Sequence, residues 1–246
     1  MYILLITIIL LLWEYGGSAN NNVRMLISTP SLCYEYFLQN SNNLLVATCV
    51  TLLQSFLGLL TATVIAFFIM VLCFRFKPFF DIILPFLLTT QVIPLITLAP
   101  FFILWLGIGS SSKIAMSALI SFYPIFLNFT TGYNSISKNI FNLLDIYNTN
   151  VFTRITKVYF PLSLPNIFTG LKLAATLSIV GSIIAEFSGS KIGLGRNLLM
   201  AAIRIEPELM VLSVFLSALL GGFLFGTIFM LEKNFGKWYV KDRQIQ

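Results

Sequence analysis

Long apolar runs separated by short polar segments dominate this chain. Runs at 44–74, 82–106, 114–129, 167–184 and 209–231 are continuous rather than alternating, and a shorter one occupies 1–13. A helix needs about 20 mostly apolar residues to cross a bilayer, whereas strands of a membrane barrel alternate in segments of about 10. The pattern predicts an all-α polytopic membrane protein with six transmembrane helices, or five if the first is cleaved. Residues 1–13 lack the basic n-region of a signal peptide, although Gly16, Gly17, Ser18 and Ala19 resemble a cleavage site. A retained, shortened first span is the expectation.

The expected organisation has three parts. Residues 1–40 hold the short first span and a polar outer segment, in which Thr29-Pro30-Ser31 reads as a turn. Residues 41–232 form the core, with a long loop at 130–166, and residues 233–246 form a tail. The run 44–74 exceeds one bilayer thickness, which predicts tilt or extension beyond the membrane. Pro85, Pro94 and Pro100 lie in the third run and Pro124 in the fourth. Each proline removes a backbone donor, and the freed carbonyls need protein neighbours in lipid. Pro94, Pro100 and Pro124 are therefore expected as helix-breaking positions in the bundle core.

Charge then orients the bundle. With the amino terminus inside, the inner segments hold Arg75, Lys77, Lys138, Arg154, Lys157, Lys172, Lys233, Lys237, Lys241 and Arg243. The outer ones hold Arg24, Lys113, Lys191, Arg196 and Arg204. An excess of cations inside is the usual bias, so both termini are expected in the cytoplasm and the chain in the inner (plasma) membrane, in contact with lipid.

Composition removes several function classes. The chain is 58% hydrophobic and 10% charged, against about 25% charged in soluble domains. Its net charge of +6 forms no basic stripe with stacking aromatics, so no nucleic-acid partner is expected. There is no histidine, and Cys33, Cys49 and Cys73 are scattered. No metal site, disulfide framework or cofactor is expected. The sequence contains no phosphate-cradling loop and no nucleophile elbow. Glu206 and Glu208, which flank Pro207, read as solvated. Gly222 and Gly226 offer a small-residue face, a weak signal for helix association. The chain reads as non-catalytic, and any uphill movement requires energy from elsewhere.

Two segments remain informative. The first is EFSGSKIGLG at 186–195, where a carboxylate and three glycines, Gly189, Gly193 and Gly195, follow an apolar run. Ionisable groups at membrane depth are costly and tend to face protein or water. Glu186 reads either as lining a polar path or as an ordinary helix end in water. The second segment is the loop 130–166. There Ile140, Leu143, Leu144, Tyr147 and Val151 fall at helical spacing, with Ser137 or Asn139 available as a cap and Pro165 suited to the first turn of the next helix. Such a helix either lies on the bilayer or docks in a groove on a partner.

Three ordered stretches resemble the inner-membrane permease subunits of ATP-binding-cassette importers, in the branch serving nitrate, taurine, aliphatic sulfonates and aminopyrimidine vitamin precursors. They are QVIPLITLAPFFILWLGIG at 91–109, SFYPIFLN at 121–128, and the set VYFP at 158–161, LPNIFTGLK at 164–172, AEF at 185–187 and GLG at 193–195. The resemblance covers about residues 40 to 235. It implies the type I importer permease architecture, a permease homodimer, separate ATPase subunits, and a periplasmic or lipid-anchored substrate-binding protein delivering a small anion or an aminopyrimidine. The family's cytoplasmic signature runs Glu-Ala-Ala, three residues, Gly, nine residues, Ile-x-Leu-Pro. Aligning Val158 to Pro161 with its end puts Asn142, Leu143 and Leu144 at the Glu-Ala-Ala places and Asn148 at the glycine. By resemblance, Ile140, Asn142, Leu143, Leu144, Tyr147, Asn148, Val158 and Pro161 belong to the loop that docks on the ATPase. Glu186, Gly189, Gly193 and Gly195 belong near the path or its outer gate. Asn tolerates left-handed geometry better than most residues, so Asn148 need not break the turn. A self-sufficient channel or secondary transporter would instead show several intramembrane charges or an internal repeat, and a membrane enzyme would show clustered His or paired carboxylates.

Overall fold

The computed structural model describes residues 28–76 and 93–235 continuously, with Leu5, Thr7, Ile8, residues 11–15, Ile82, Ile83, Pro85, Leu87 and Thr89. The first span, the tail 236–246 and part of the 82–106 run lie outside the described residues. Among the described residues every regular element is helical. They are α1 (Pro30–Arg75), a 3₁₀ turn (Leu95–Leu98), α2 (Ala99–Leu106), α3 (Ser110–Asn134), α4 (Lys138–Ile146), α5 (Val151–Arg154), a π turn (Ile155–Tyr159), α6 (Phe160–Phe187), α7 (Leu194–Arg204) and α8 (Pro207–Phe235). Four helical stretches are long and apolar enough to cross a membrane: Pro30–Arg75, Ser110–Asn134, Val151–Phe187 and Pro207–Asn234.

Several boundaries differ from the sequence reading. Thr29-Pro30-Ser31 starts α1 rather than forming a turn. Thr29 is the N-cap, its Oγ1 accepting from Leu32 N at 3.5 Å, with Pro30 in the first turn, where a missing N–H costs nothing. The polar residues up to Asn43 lie on that helix, which kinks at Asn40. Pro94 and Pro100 do not interrupt a central helix. Pro94 precedes the 3₁₀ turn, Pro100 sits in the first turn of α2, and both are exposed. Pro124 is buried, but inside an unbroken α3. Pro161 falls in the first turn of α6 and Pro165 inside it, so the helix begins earlier than expected. The ladder reaches Pro161 through the π turn, in which Phe160 N bonds to Ile155 O. Such one-turn bulges accommodate a local mismatch in the ladder.

The core is built on small residues. A Cβ on Gly58 would collide with Ser117 Oγ, and one on Gly181 would lie 2.7 Å from Ser117 Cα. α1, α3 and α6 therefore converge at Ser117, the close approach that small residues permit between membrane helices. Ser117 Oγ donates to Ser178 O at 2.9 Å and Ser121 Oγ to Ala174 O at 3.3 Å, so α3 and α6 are antiparallel. α1 and α3 run parallel: Gly58 meets Ser117, Phe67 meets Phe129 and Phe74 meets Tyr133. Parallel neighbours in sequence require the intervening chain to return the length of the bundle, and Ile83 and Leu87 pack on the same core. α8 lies antiparallel to α6, tied by the Lys172–Glu232 ion pair at 2.9 Å. The bundle thus has a Glu186 end and a Tyr159 end.

Candidate functional site

At the Glu186 end, the carboxylate is neither solvated nor open to a path within this chain. Glu186 is 1% exposed. Its Oε1 accepts from Thr51 Oγ1 at 2.8 Å and its Oε2 from Gly195 N at 2.6 Å. Thr51 Oγ1 in turn accepts from Leu194 N at 2.9 Å. These amides form the first turn of α7, so Glu186 and Thr51 cap that helix from two other helices. A carboxylate at a helix N-terminus meets the positive end of the dipole, and charge-assisted bonds of this kind are the strong ones. The two glycines follow from the packing. A Cβ on Gly193 would overlap the Glu186 carboxylate, and one on Gly195 would lie 2.6 Å from Ile183 O.

Lys113, counted from sequence as a loop cation, closes the same region. It lies in the first turn of α3 and is 1% exposed. Its Nζ donates to Gly189 O at 2.5 Å, Ile108 O at 2.6 Å and Ser112 Oγ at 3.4 Å. The turn 188–193 is thus gripped by α3, capped by α1 and supported by its own bonds, Arg196 Nη1 to Ser190 O and Ser190 Oγ to Ile192 O. Sequence reasoning missed both Lys113 and Thr51. Glu206 and Glu208, read as solvated, are half-buried. Glu208 Oε1 accepts from Ser28 Oγ at 3.0 Å, and Glu206 lies 3.8 Å from Arg204.

At the Tyr159 end, the predicted stripe divides. α4 stops at Ile146, and Val151 belongs to α5. Ile140 and Leu144, with Phe141 and Val158, pack inward on Ile136, Ile155 and Tyr159. Tyr133, Phe141, Tyr159 and Phe74 form an aromatic cluster beneath them, with centroids 4.6–5.6 Å apart. Leu143, Ile146, Tyr147 and Phe152 point away: Ile146 is 77%, Tyr147 76% and Phe152 75% exposed. Asn142 is exposed too, and Pro161 is half-buried. Ser137 occupies the N-cap of α4 without a side-chain bond.

The turn after α4 is tightly held. Asn148 has φ 46°, the left-handed geometry common after helix ends. Thr149 N bonds to Leu144 O at 3.1 Å. Arg154, another residue sequence reasoning passed over, donates to Leu144 O at 2.9 Å, to Thr149 O at 3.0 Å and to Asp145 Oδ1 at 2.6 Å. A guanidinium fork on orphan carbonyls is a strong closure for a helix C-terminus. Gly222 and Gly226 of α8 have open space around them. Among the described residues no cluster of His, Cys, Asp or Glu could hold a metal.

Residues 54–234 match the family model described as binding-protein-dependent transport system inner membrane component. The chain is 27% identical to a probable ABC transporter permease protein of Haemophilus influenzae, over 85% of each chain. It is 30% identical to the riboflavin transport system permease protein RibX of Chloroflexus aurantiacus, over 63% of this chain and 58% of that one. It is 28% identical to the formylaminopyrimidine transport permease protein ThiX of Halalkalibacterium halodurans, over 76% of this chain and 74% of that one.

Proposed function

The chain belongs to the family of binding-protein-dependent transport system inner membrane components, and from that premise we propose that it is the membrane-spanning permease subunit of an ATP-driven importer for a small solute. The observation that carries this reading is the apolar face of Leu143, Ile146, Tyr147 and Phe152, held out beyond the spans by a turn that Arg154 locks. That face is the docking peg for a separate ATPase subunit. The permease itself is non-catalytic.

In this reading the Tyr159 end faces the cytoplasm and the Glu186 end faces out. Six spans, two identical permease subunits and cytoplasmic termini complete the assembly. A substrate-binding protein delivers cargo to the Glu186 end. The range of solutes named for relatives, riboflavin, formylaminopyrimidine, aliphatic sulfonates and nitrate, bounds the class to small polar molecules.

The helical stretch Val151–Phe187 supports a mechanical route. Its 37 residues extend about 55 Å at 1.5 Å per residue, from the docking turn to Glu186. Displacement of the turn when ATPase subunits close on ATP would move the rod and, through Glu186 and Thr51, the cap of α7. ATP acts by binding one state better than the other. In this scheme Glu186, Gly189, Gly193 and Gly195 are the hinge of the outer gate and not a surface that touches solute.

The test is purification of the chain with the ATPase and binding protein encoded beside it. A stable complex whose ATP turnover rises when the loaded binding protein is added supports the proposal. Failure of any ATPase to co-purify, with uphill solute uptake by the chain alone in vesicles, refutes it.

A further inference from the structure

The Glu186 end contains a cavity of about 410 Å³ lined by Gln54, Gly109, Ser110, Lys113, Ser190 and Lys191, among others. Three features of it converge. First, α3 starts here with Gly109 as N-cap and no side chain capping it. The first-turn amides of a 25-residue helix are free of side-chain partners, and such an end favours an anion. Secondly, both ionisable groups in the lining are cations, and among the described residues no carboxylate lines the cavity. Lys113 uses its N–H groups on Ile108 O, Gly189 O and Ser112 Oγ, so it supplies field rather than a bond. Glu186 lies behind it, already engaged by Thr51 and Gly195. Lys191 is exposed on the rim. Thirdly, Gln54 is 3% exposed and its Oε1 has no hydrogen-bond partner. A buried carboxamide without a partner is costly, and a half-turn about its last torsion presents the NH₂ instead.

We propose that this cavity is a binding site for a small oxyanion, a sulfonate, carboxylate or phosphate group, held by the first-turn amides of α3, the Lys191 ammonium and the Gln54 carboxamide. The site deepens the permease reading: it makes the solute an anion and gives it a first stop on the outer side of the membrane. The same chemistry fits the headgroup of an anionic lipid.

Ser110 provides a clean probe. It is the first helical residue, and Gly109 before it is extended at φ −65° and ψ −173°, the conformation that precedes proline. Ser110→Pro therefore deletes an amide donor and a hydroxyl where proline is at home, avoiding the loop damage that replacing Lys113 would bring. The full chain in phosphatidylcholine nanodiscs is titrated with methanesulfonate by saturation-transfer NMR. Binding is expected, weakened about tenfold by Ser110→Pro and by Lys191→Gln, unchanged by Lys233→Gln at the far end, and not displaced by choline. Loss of methanesulfonate binding on adding phosphatidylglycerol, with both variants relieving that competition, assigns the site to a lipid headgroup and upholds the oxyanion chemistry. No binding in either bilayer, binding indifferent to both variants, or displacement by choline overturns the proposal. The assay contains no ATPase, so its outcome is separate from whether one co-purifies.

Discussion

Thr51 and Glu186 stand 135 residues apart in sequence and share a buried 2.8 Å hydrogen bond, while the same hydroxyl accepts the Leu194 amide. Thr51→Val keeps the shape and removes both bonds. Leaving a buried carboxylate short of a donor and an amide unpaired costs about 1–3 kcal/mol per group. The variant is expected to melt several degrees below the parent in detergent, by intrinsic fluorescence. An unchanged melting curve would show that Glu186 finds another donor.

Gly193 and Gly222 predict opposite responses to the same methyl group. Gly193→Ala drives a Cβ into the Glu186 carboxylate at φ 146° and is expected to abolish a monodisperse fold. Gly222→Ala meets open space within α8 and is expected to be neutral or stabilising by up to about 1 kcal/mol. Size-exclusion profiles of the two variants decide this; similar losses in both would contradict the packing.

Leu144 and Tyr147 separate folding from docking. Leu144→Asp buries a charge beside Ile155 and Tyr159 and is expected to destabilise the loop itself. Tyr147→Asp or Ile146→Asp changes only exposed side chains, whose effect on folding should stay within about 0.5 kcal/mol. Pull-down of the ATPase is expected to fail for the exposed pair, with melting unchanged. Retention of the ATPase by both exposed variants would remove the docking role from this face.

Asn148 offers a graded backbone test. Asn148→Gly should be tolerated at φ 46°, whereas Asn148→Val forces a β-branched residue into left-handed geometry at about 1–3 kcal/mol. Limited proteolysis of the 146–152 turn is expected to accelerate only in the valine variant. Equal cleavage of both would mean the turn is not held in this conformation.

The membrane class and the long spans were legible because continuous apolar runs admit few other readings. Helix starts were not: Thr29-Pro30 suits a turn and an N-cap equally, and only the bond from Leu32 N decides between them. Periodicity found Ile140, Leu143, Leu144 and Tyr147 but not which of them faces the chain's own core, because Val71, Phe74 and Tyr133 arrive from distant elements. Lys113 was hidden for a related reason. Its position beside three serines reads as solvent, and the carbonyl of Gly189 that buries it lies 76 residues away.

The convergence on Ser117 limits how the bundle can rearrange. Gly181 sits where not even a methyl group fits. Sliding α6 by one turn along its axis would bring Leu177 or Ala185 to that spot. The three helices therefore have a single axial register, and ratcheting between them is sterically barred. Any working stroke must carry α1, α3 and α6 together as a block.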